Sequence, residues 1–474
     1  MASSRSWEAF PPTYCAREMK TLADWVLAGV SGSVVGPAGA GKSNLLGFAC
    51  HRPEVLQTYL PSQACPAMLL CVDLNNLPSN DLATLYRVLL RAFYKARDRF
   101  DQAQGQLIND LYQSLRQWAS QDPFLSQGAL HEVLQECQTR DMRVVLVLDS
   151  FDRFCQTATP QMLNALRGLR DSFKDTLCYI VGTRQEVIYL FDPADLGEMC
   201  ELLDTHVCWV GPLNEDDALY LVAKEMQAAS IPPTETEAMH LISLTGGYPA
   251  LLKAACHWWL DTSHKPPISA WRDALLAERS IHSRLREIWA GLSQEERGAL
   301  FEVREWQSHS LAPAAAEARP VGEKSQEGDG VHVLDRLAAK GLCRRTDGGW
   351  SIFCDLFAAY VADAGGTGGK IWLDEETGEW HRGPTPLEDL TSLERTVLHF
   401  LVRHPRVRHA KTDLIINTWP EDLRRHGVTD ESLYQVIREL RKKIEPDPGN
   451  PCYIVTWRGR PEGGYQFFPE GKPG

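Results

Sequence analysis

Five short stretches of this chain are apolar almost without interruption: "GSVV" (32–35), "AMLLCVDLNNL" (67–77), "RVVLVLD" (143–149), "LCYIVGTR" (177–184) and "HVCWVGPL" (206–213). Runs of this length and composition predict strands buried on both faces. Between them, apolar residues recur at three- and four-residue spacing, as in "REMKTLADWVLAG", "LATLYRVLLRAF", "LHEVLQECQ" and "QMLNALRGLRDSF". That is the period of helices with one buried face. Strands alternating with helices predict an α/β unit whose sheet is mainly parallel, with helices on both faces. From about Asn214 the strands stop, and "EDDALYLVAKEMQAA", "ETEAMHLISLTG" and "YPALLKAACHWWLD" are helical patterns. Residues 283–363 read as helices, a hairpin around "CRRTDGGWSIF" and a closing helix. They are interrupted at 311–330 by a stretch rich in Ala, Pro, Glu and Gly, expected to be a mobile loop. After the linker "AGGTGGK", residues 370–474 read as a hairpin, three helices and two strands around a glycine-rich loop.

Composition bounds the functions available. The chain has 474 residues, 44% hydrophobic and 23% charged, as expected of a globular protein with two to four domains. Its longest apolar runs are far too short to cross a bilayer. The first residues lack a charged start followed by an apolar stretch, so no secretory signal is expected. Thirteen cysteines without a CxxC pair predict buried thiols in a reducing cytoplasm. The net charge is −13, unevenly spread: residues 391–474 carry 14 Lys+Arg against 11 Asp+Glu. An acidic body disfavours nonspecific nucleic-acid binding, while the final segment remains compatible with it.

The chemistry concentrates at "GPAGAGKS" (36–43), a complete G-x-x-x-x-G-K-S between a strand and a helix. Gly36, Gly39, Ala40, Gly41, Lys42, Ser43 and Asn44 are the expected nucleotide-binding residues. Backbone N–H groups of such a loop face phosphate oxygens, Lys42 reaches the β- and γ-phosphates, and Ser43 ligates Mg²⁺. Asp149, ending a very apolar strand, is the expected metal-side carboxylate. Thr183 and Arg184 end the next strand and are expected beside the γ-phosphate. No Asn-Lys-x-Asp sequence occurs, so ATP/ADP is expected rather than guanine nucleotides.

Met19 to about Trp259 resembles the STAND-type P-loop ATPases, the signalling branch related to AAA+ proteins. The resemblance rests on "CAREMKTLADWV", "GPAGAGKSNLL", "VLVLDSFDRF", "VGTR" and "TGGYPALLKAA". It implies that Arg17 and Glu18 lie near the adenine, and that Gly247 and Pro249 pack a helical lid against the nucleotide. It divides the chain into a P-loop core (1–213), a lid (214–282) and a winged-helix domain (283–363). The departures matter too. Ser150 stands where an acid that orients the attacking water is common, leaving Asp152 as its nearest substitute. Gln185 to Leu213 contains no Lys or Arg to serve as an inter-subunit arginine finger, which in related enzymes contributes about 10³–10⁵ in rate. "WSIFCDLFAAY" lacks the histidine that often senses the β-phosphate. The candidate catalytic set is Asp149, Asp152 and Arg184, serving a weak ATPase at most.

Residues 370–474 resemble the winged-helix effector domain of OmpR-like response regulators, through "LTSLERTVLHFLVRHP", "VTDESLYQVIRELRKKI" and "YIVTWRGRPEGGYQF". The resemblance implies that the helix at 430–444 enters the major groove, with Gln435 and Arg438 at base edges. Arg441, Lys442 and Lys443 suit phosphates, and Arg458 and Arg460 lie on the wing. Glu431 and Glu439 depart from the basic residues common there. The expected fold is thus a parallel-sheet P-loop NTPase core with a helical lid, followed by two winged-helix domains. The leading functional reading is a slow-hydrolysing, ATP-binding switch whose nucleotide state controls a DNA-binding winged helix, forming homo-oligomers in a nucleotide-dependent way. The alternative is a STAND ATPase of a defence system whose winged helix grips a protein partner.

Overall fold

The computed structural model describes residues 7–471 except 63, 75–76, 118–121, 191–197, 228, 230–231, 263, 311–328, 347–348, 366–370, 375–376, 384, 388, 422–426, 446–447, 450, 458, 460–462 and 470. The expected mobile loop at 311–330 therefore lies almost wholly outside the described residues. The chain divides into two compact units, Met1–Glu296 with Gly322–Asp355, and Arg297–Val321 with Leu356–Gly474.

The first unit is built on a five-stranded sheet of β1 (Gly32–Val35), β2 (Ala67–Asp73), β3 (Arg143–Asp149), β4 (Leu177–Thr183) and β5 (Val207–Trp209). Its order is β2-β3-β4-β1-β5 and every pairing is parallel. All seven residues of β4 are buried, which is why its sequence carries no alternation. β5 stops at Trp209, well short of the apolar run that contains it. Pro212 has no N–H to continue a ladder.

Helices cover both faces. α1 (Ala16–Ala28) precedes β1 and ends at Gly29, whose φ of 67° is the left-handed cap glycine tolerates best. α2 (Lys42–His51) and α3 (Pro53–Gln57) follow β1. Three helices, α4 (Leu82–Lys95), α5 (Gln102–Gln117) and α6 (Pro123–Thr139), connect β2 to β3. α7 (Phe151–Thr157) and α8 (Pro160–Ser172) connect β3 to β4. Leu85, Leu89 and Phe93 of α4 join Leu130, Val133 and Leu134 of α6, Leu166 of α8 and the apolar face of β3 in one core. Beyond β5 come the helices Glu215–Glu225, Glu235–Thr245, Pro249–Asp261, Trp271–Ala277 and Arg279–Ala290. The second begins with a reciprocal capping box between Thr234 and Glu237.

The helix Asp329–Ala339 and the antiparallel pair β6 (Cys343–Thr346) and β7 (Gly349–Ile352) complete this unit. Lys340, 3% exposed, lies 2.5 Å from Glu296 and 3.8 Å from Glu186. Glu186 follows β4 directly, so this buried cluster ties the end of the central sheet to the helix before the hairpin. A charge so deep is tolerated only when paired.

The second unit holds the C-terminal winged helix. β8 (Ile371–Leu373), β9 (Trp380–Arg382) and β10 (Thr385–Pro386) form an antiparallel sheet. The helices Ser392–Arg403, Lys411–Thr418 and Asp430–Ile444 follow. β11 (Arg408–Ala410) pairs with β13 (Gly464–Phe467), which pairs with β12 (Ile454–Trp457). A side chain at Gly464 would meet the His409 carbonyl at 1.9 Å, so only glycine lets β11 and β13 approach. Leu433, Ile437, Leu440 and Ile444 of the third helix pack on Leu398, Leu401, Tyr453 and Phe467.

Lys340→Met should lower the unfolding free energy of the full chain in urea by about 3–5 kcal/mol, because two carboxylates are left buried without their cation. The double variant Lys340→Met, Glu296→Gln should recover part of the loss. A change within about 0.5 kcal/mol, the range of an ordinary surface substitution, would show the cluster to be unimportant.

Candidate nucleotide-binding site

β1 ends between β4 and β5, and the chain turns at once into the loop 36–41. Gly36 N–H donates to the Thr183 carbonyl at 3.2 Å, fixing the loop to the end of β4. Gly39 has φ +81°, and a Cβ there would meet the Ala250 Cβ at 2.5 Å. Glycine is needed both for the curl and for the close approach of a second segment. Gly41 precedes α2 as its N-cap and offers no side-chain cap, and the helix has no acid in its first turn. Its leading N–H groups and positive dipole end are thereby left for an anion.

Lys42 curls back onto the loop and donates to the Gly36 and Pro37 carbonyls, the latter at 3.1 Å. Loss of water around its ammonium brings the pKa down to about 8. Asp152 opposes that shift, Arg184 adds to it and Asp149 opposes it. The four groups expected around a γ-phosphate thus lie within one electrostatic neighbourhood. Asp149 accepts the Ser150 N–H at 2.9 Å, with Ser150 in the left-handed region at φ 57°. Asp152, buried in the first turn of α7, lies 3.7 Å from Arg184. Thr183 is fully buried, and its hydroxyl has no hydrogen-bond partner among the described residues.

Two cavities flank the loop. One, of about 230 Å³, is lined by Gly39, Gly41, Lys42, Ser43 and Asn44 from the loop and α2, and by Pro249, Ala250 and Lys253 opposite. The other, of about 220 Å³, is lined by Ala40 and Gly41, by Tyr14, Cys15, Arg17 and Glu18, and by Val210 to Asn214 and Asp217. Asp217 accepts the buried Cys15 N–H at 3.0 Å and the Asn214 amide at 2.8 Å. Burial pushes the Glu18 and Asp217 carboxyls above their ordinary range.

The segment carrying Gly247 and Pro249 seats directly on the loop. Gly247 is left-handed at φ +70°, and Pro249 opens its helix at the first position. Tyr248 O–H donates to the Ala38 carbonyl at 2.7 Å, and Ala250 N–H donates to the Gly39 carbonyl at 3.2 Å. Tyr248 and Lys253 are absent from the sequence-based set. Lys253 stands one turn after Pro249 on the same helix face, a spacing visible in the sequence, and pairs with Glu225 at 3.1 Å.

In the C-terminal unit, Gln435 and Arg438 lie exposed on the outer face of the helix Asp430–Ile444, with Glu431 and Tyr434 beside them. The basic residues after them have partners within the domain. Arg441 donates to the Ile454 carbonyl at 3.0 Å and to Thr456 at 2.9 Å. Lys443 donates to Glu394 and to the Asp389 carbonyl, each at 2.7 Å. Both side chains, half-buried, thus help to hold the domain together. Lys442 is exposed and pairs with Glu439 at 2.6 Å, so that the glutamate's charge is partly offset. Arg458 and Arg460 lie outside the described residues.

Comparison with known proteins assigns both ends of the chain. Residues 29–187 match the family described as AAA domain, and residues 386–467 match "Transcriptional regulatory protein, C terminal". Over 79 residues, 16% of the chain, it is 40% identical to "Transcriptional regulatory protein YvrH" of Bacillus subtilis. Over 109 residues, 22% of the chain, it is 31% identical to "Protein PetR" of Rhodobacter capsulatus. The chain spans 30% and 42% of the lengths of these relatives. Among solved structures, the Walker-type ATPase PABY2304 of Pyrococcus abyssi is 15% identical with a TM-score of 0.42, over 73% of this chain and 94% of that one. The Aeropyrum pernix ORC2 protein is 14% identical with a TM-score of 0.35, over 76% and 92%. Among the described residues no helix is long and apolar enough to cross a membrane.

Two expectations follow from the geometry. Lys42, half deprotonated near pH 8 when no phosphate is bound, should take up a proton when phosphate raises its pKa. Affinity for ADP should fall as pH rises through about 8. Calorimetry at pH 8.5 in buffers of different ionisation enthalpy should show net proton uptake that is absent at pH 7; equal values at both would contradict it. Glu394 behaves oppositely: burial acts to raise its carboxyl, but the Lys443 ammonium and the Thr391 N–H and hydroxyl outweigh burial and hold it below the ordinary range. Its stabilisation is present above the unfolded-state pKa and is lost as pH falls through the lower folded one. Glu394→Gln should flatten the acid side of the stability profile of this unit, followed by Trp380 and Trp419 environments in fluorescence. An unchanged profile would remove Glu394 from the account.

These matches and the geometry place in one chain a P-loop ATPase domain similar to the AAA domain family and a C-terminal winged-helix domain similar to that of transcriptional regulatory proteins.

Proposed function

We propose that this protein is an ATP-binding signalling switch of STAND type, with slow hydrolysis, whose nucleotide state controls a DNA-binding C-terminal winged helix and so transcription. The observation that carries this reading is the four-residue segment 183–186 at the end of β4. Thr183 accepts the loop's Gly36 N–H, Arg184 faces Asp152, Gln185 donates to the Gly291 carbonyl at 3.0 Å, and Glu186 meets Lys340. One short segment thus touches the phosphate loop at one end and the helix–hairpin element at the other, as a switch requires.

In this reading the base occupies the cavity beside Arg17 and Glu18, and the phosphates lie at the start of α2. Ser43 and Asp149 offer a hydroxyl and a carboxylate, hard oxygen donors of the kind Mg²⁺ takes. Bound Mg²⁺ supplies charge neutralisation at the β- and γ-phosphates. Lys42 leaves the Gly36 and Pro37 carbonyls for phosphate, and Tyr248 and Ala250 keep the lid seated on the loop. Asp152 is the residue best placed to orient water, yet it is engaged by Arg184, which keeps turnover low. Nucleotide-dependent self-association, work in a reducing cytoplasm and DNA contacts by Gln435 and Arg438 belong to the same reading.

A second reading is favoured by one feature, the outer face of the helix Asp430–Ile444. Glu431 and Tyr434, the latter 59% exposed, suit a protein partner better than a phosphate backbone. The decisive experiment is electrophoretic shift of the DNA upstream of the protein's own gene, with ATP, with ADP and without nucleotide. The DNA-regulator reading expects binding that weakens with salt, depends on nucleotide, is lost in Lys42→Ala and falls by about 1–3 kcal/mol in Arg438→Ala. Absence of binding in every nucleotide state, with a stoichiometric protein recovered instead, selects the second reading. Turnover well above about 1 s⁻¹ would overturn the slow switch.

A further inference from the structure

A cavity of about 710 Å³ opens at the outer edge of the sheet, away from the phosphate loop, between the end of β2 and the helices α4 and α5. Its size falls within the range of about 300–1,000 Å³ typical of small-molecule sites. Arg87, Arg91 and Lys95 line it from α4 and Arg116 from α5, against a single acid, Asp73 of β2. Tyr112 adds an aromatic wall, stacked on Tyr94 with ring centroids 4.1 Å apart.

The charge pattern is out of keeping with its surroundings. The chain as a whole carries −13, yet α4 contains no acidic residue. Its three cations sit four residues apart, on one helix face, where like charges repel. Only Lys95 lies in the last turn, where the helix dipole would reward it. Among the described residues Arg91, Lys95 and Arg116 enter no ion pair, whereas Arg87 and Asp73 are each already engaged. Long basic side chains do cover apolar seams with their stems, but that role does not require four of one sign around a hollow.

We infer that this cavity binds a small phosphorylated molecule carrying two or more negative charges, with Arg87, Arg91, Lys95 and Arg116 as its anion ligands and Tyr112 against its body. Guanidinium groups meet phosphate oxygens in pairs, and a polyanion relieves the repulsion along α4. The cavity's strand, β2, lies beside β3, which carries Asp149. Asp73 is the register partner of Asp149, and the Cys71 thiol donates to the Leu46 carbonyl of α2 at 3.8 Å. A ligand here touches the strand that backs the metal-side carboxylate, which makes the cavity an entry point for the upstream signal that a switch needs.

The test is calorimetric titration of inorganic tripolyphosphate into the full chain saturated with ADP and Mg²⁺, at constant ionic strength. The same titration in Lys42→Ala reads the cavity whether or not the phosphate loop takes nucleotide, so the two sites fail separately. One site per chain is expected in both proteins. Arg91→Glu and Lys95→Glu, both at exposed positions, should each weaken it at least about ten-fold, while Arg272→Glu on a distant helix should not. Thermal midpoints equal to the parent's establish that the variants fold. No binding to the ADP-saturated chain and Lys42→Ala, or equal binding in Arg91→Glu, overturns the inference. It is equally overturned if Arg91→Glu leaves tripolyphosphate binding intact and instead abolishes retention of a mixed-sequence DNA duplex.

Discussion

The carbonyls of one short loop, Gly36 to Gly39, are the point on which the first unit depends. They accept from Lys42 at the start of α2 and from Tyr248 and Ala250 of the segment that closes over it. Phosphate-binding loops direct their N–H groups toward the ligand, which turns their carbonyls the other way and leaves them in need of donors. Here the donors come from the closing segment, so the same backbone that would hold the phosphates also holds the lid. The absence of a side chain at Gly39 makes this geometry possible, since Ala250 occupies the space a Cβ would need. Ligand binding and lid placement are thereby parts of one hydrogen-bonding problem.

The electrostatics of the site bear on rate as much as on affinity. Lys42, Asp149, Asp152 and Arg184 influence one another, and the arginine stands beside the acid nearest to a water-orienting position. A carboxylate turned toward a cation has less of its oxygen surface left to accept from a water. Replacing the residue after Asp149 by serine and engaging Asp152 act in the same direction. The buried Lys340 cluster extends this logic outward. Glu186 cannot move far from Lys340 without stranding a charge in the interior, so displacement of the segment after β4 is coupled to the helix–hairpin element.

Much of this was legible in the sequence, for identifiable reasons. The strands were visible because both faces are covered, which enforces unbroken apolar runs such as Val144–Leu148. The phosphate loop was visible because its glycines and Lys42 are demanded by geometry. Strand order was not readable, because five buried strands of similar composition pair equally well in several orders. β10 and β11 were missed since two or three residues carry no period. Tyr248 escaped notice because a tyrosine in a turn looks like packing until its hydroxyl is seen on Ala38. The internal partners of Arg441 and Lys443 were hidden for a related reason: a sequence displays charge, but not the carbonyl or carboxylate that the fold carries up to it.

Those two residues change how the C-terminal domain must work in the DNA-binding reading. Phosphate contacts supply most of the nonspecific affinity of a DNA-binding protein. With Arg441 and Lys443 engaged within the domain, Lys442 paired with Glu439 and Glu431 exposed, the helix presents few unpaired cations for that term. A single copy is then left with the base-edge contacts of Gln435 and Arg438 and with whatever the wing adds. Such a domain binds weakly alone and gains strongly from a second copy held nearby, because the second contact becomes intramolecular. Control of copy number by the nucleotide would therefore regulate DNA occupancy without altering the helix that reads it. In that reading, self-association rather than exposure of a hidden surface is the economical means of control.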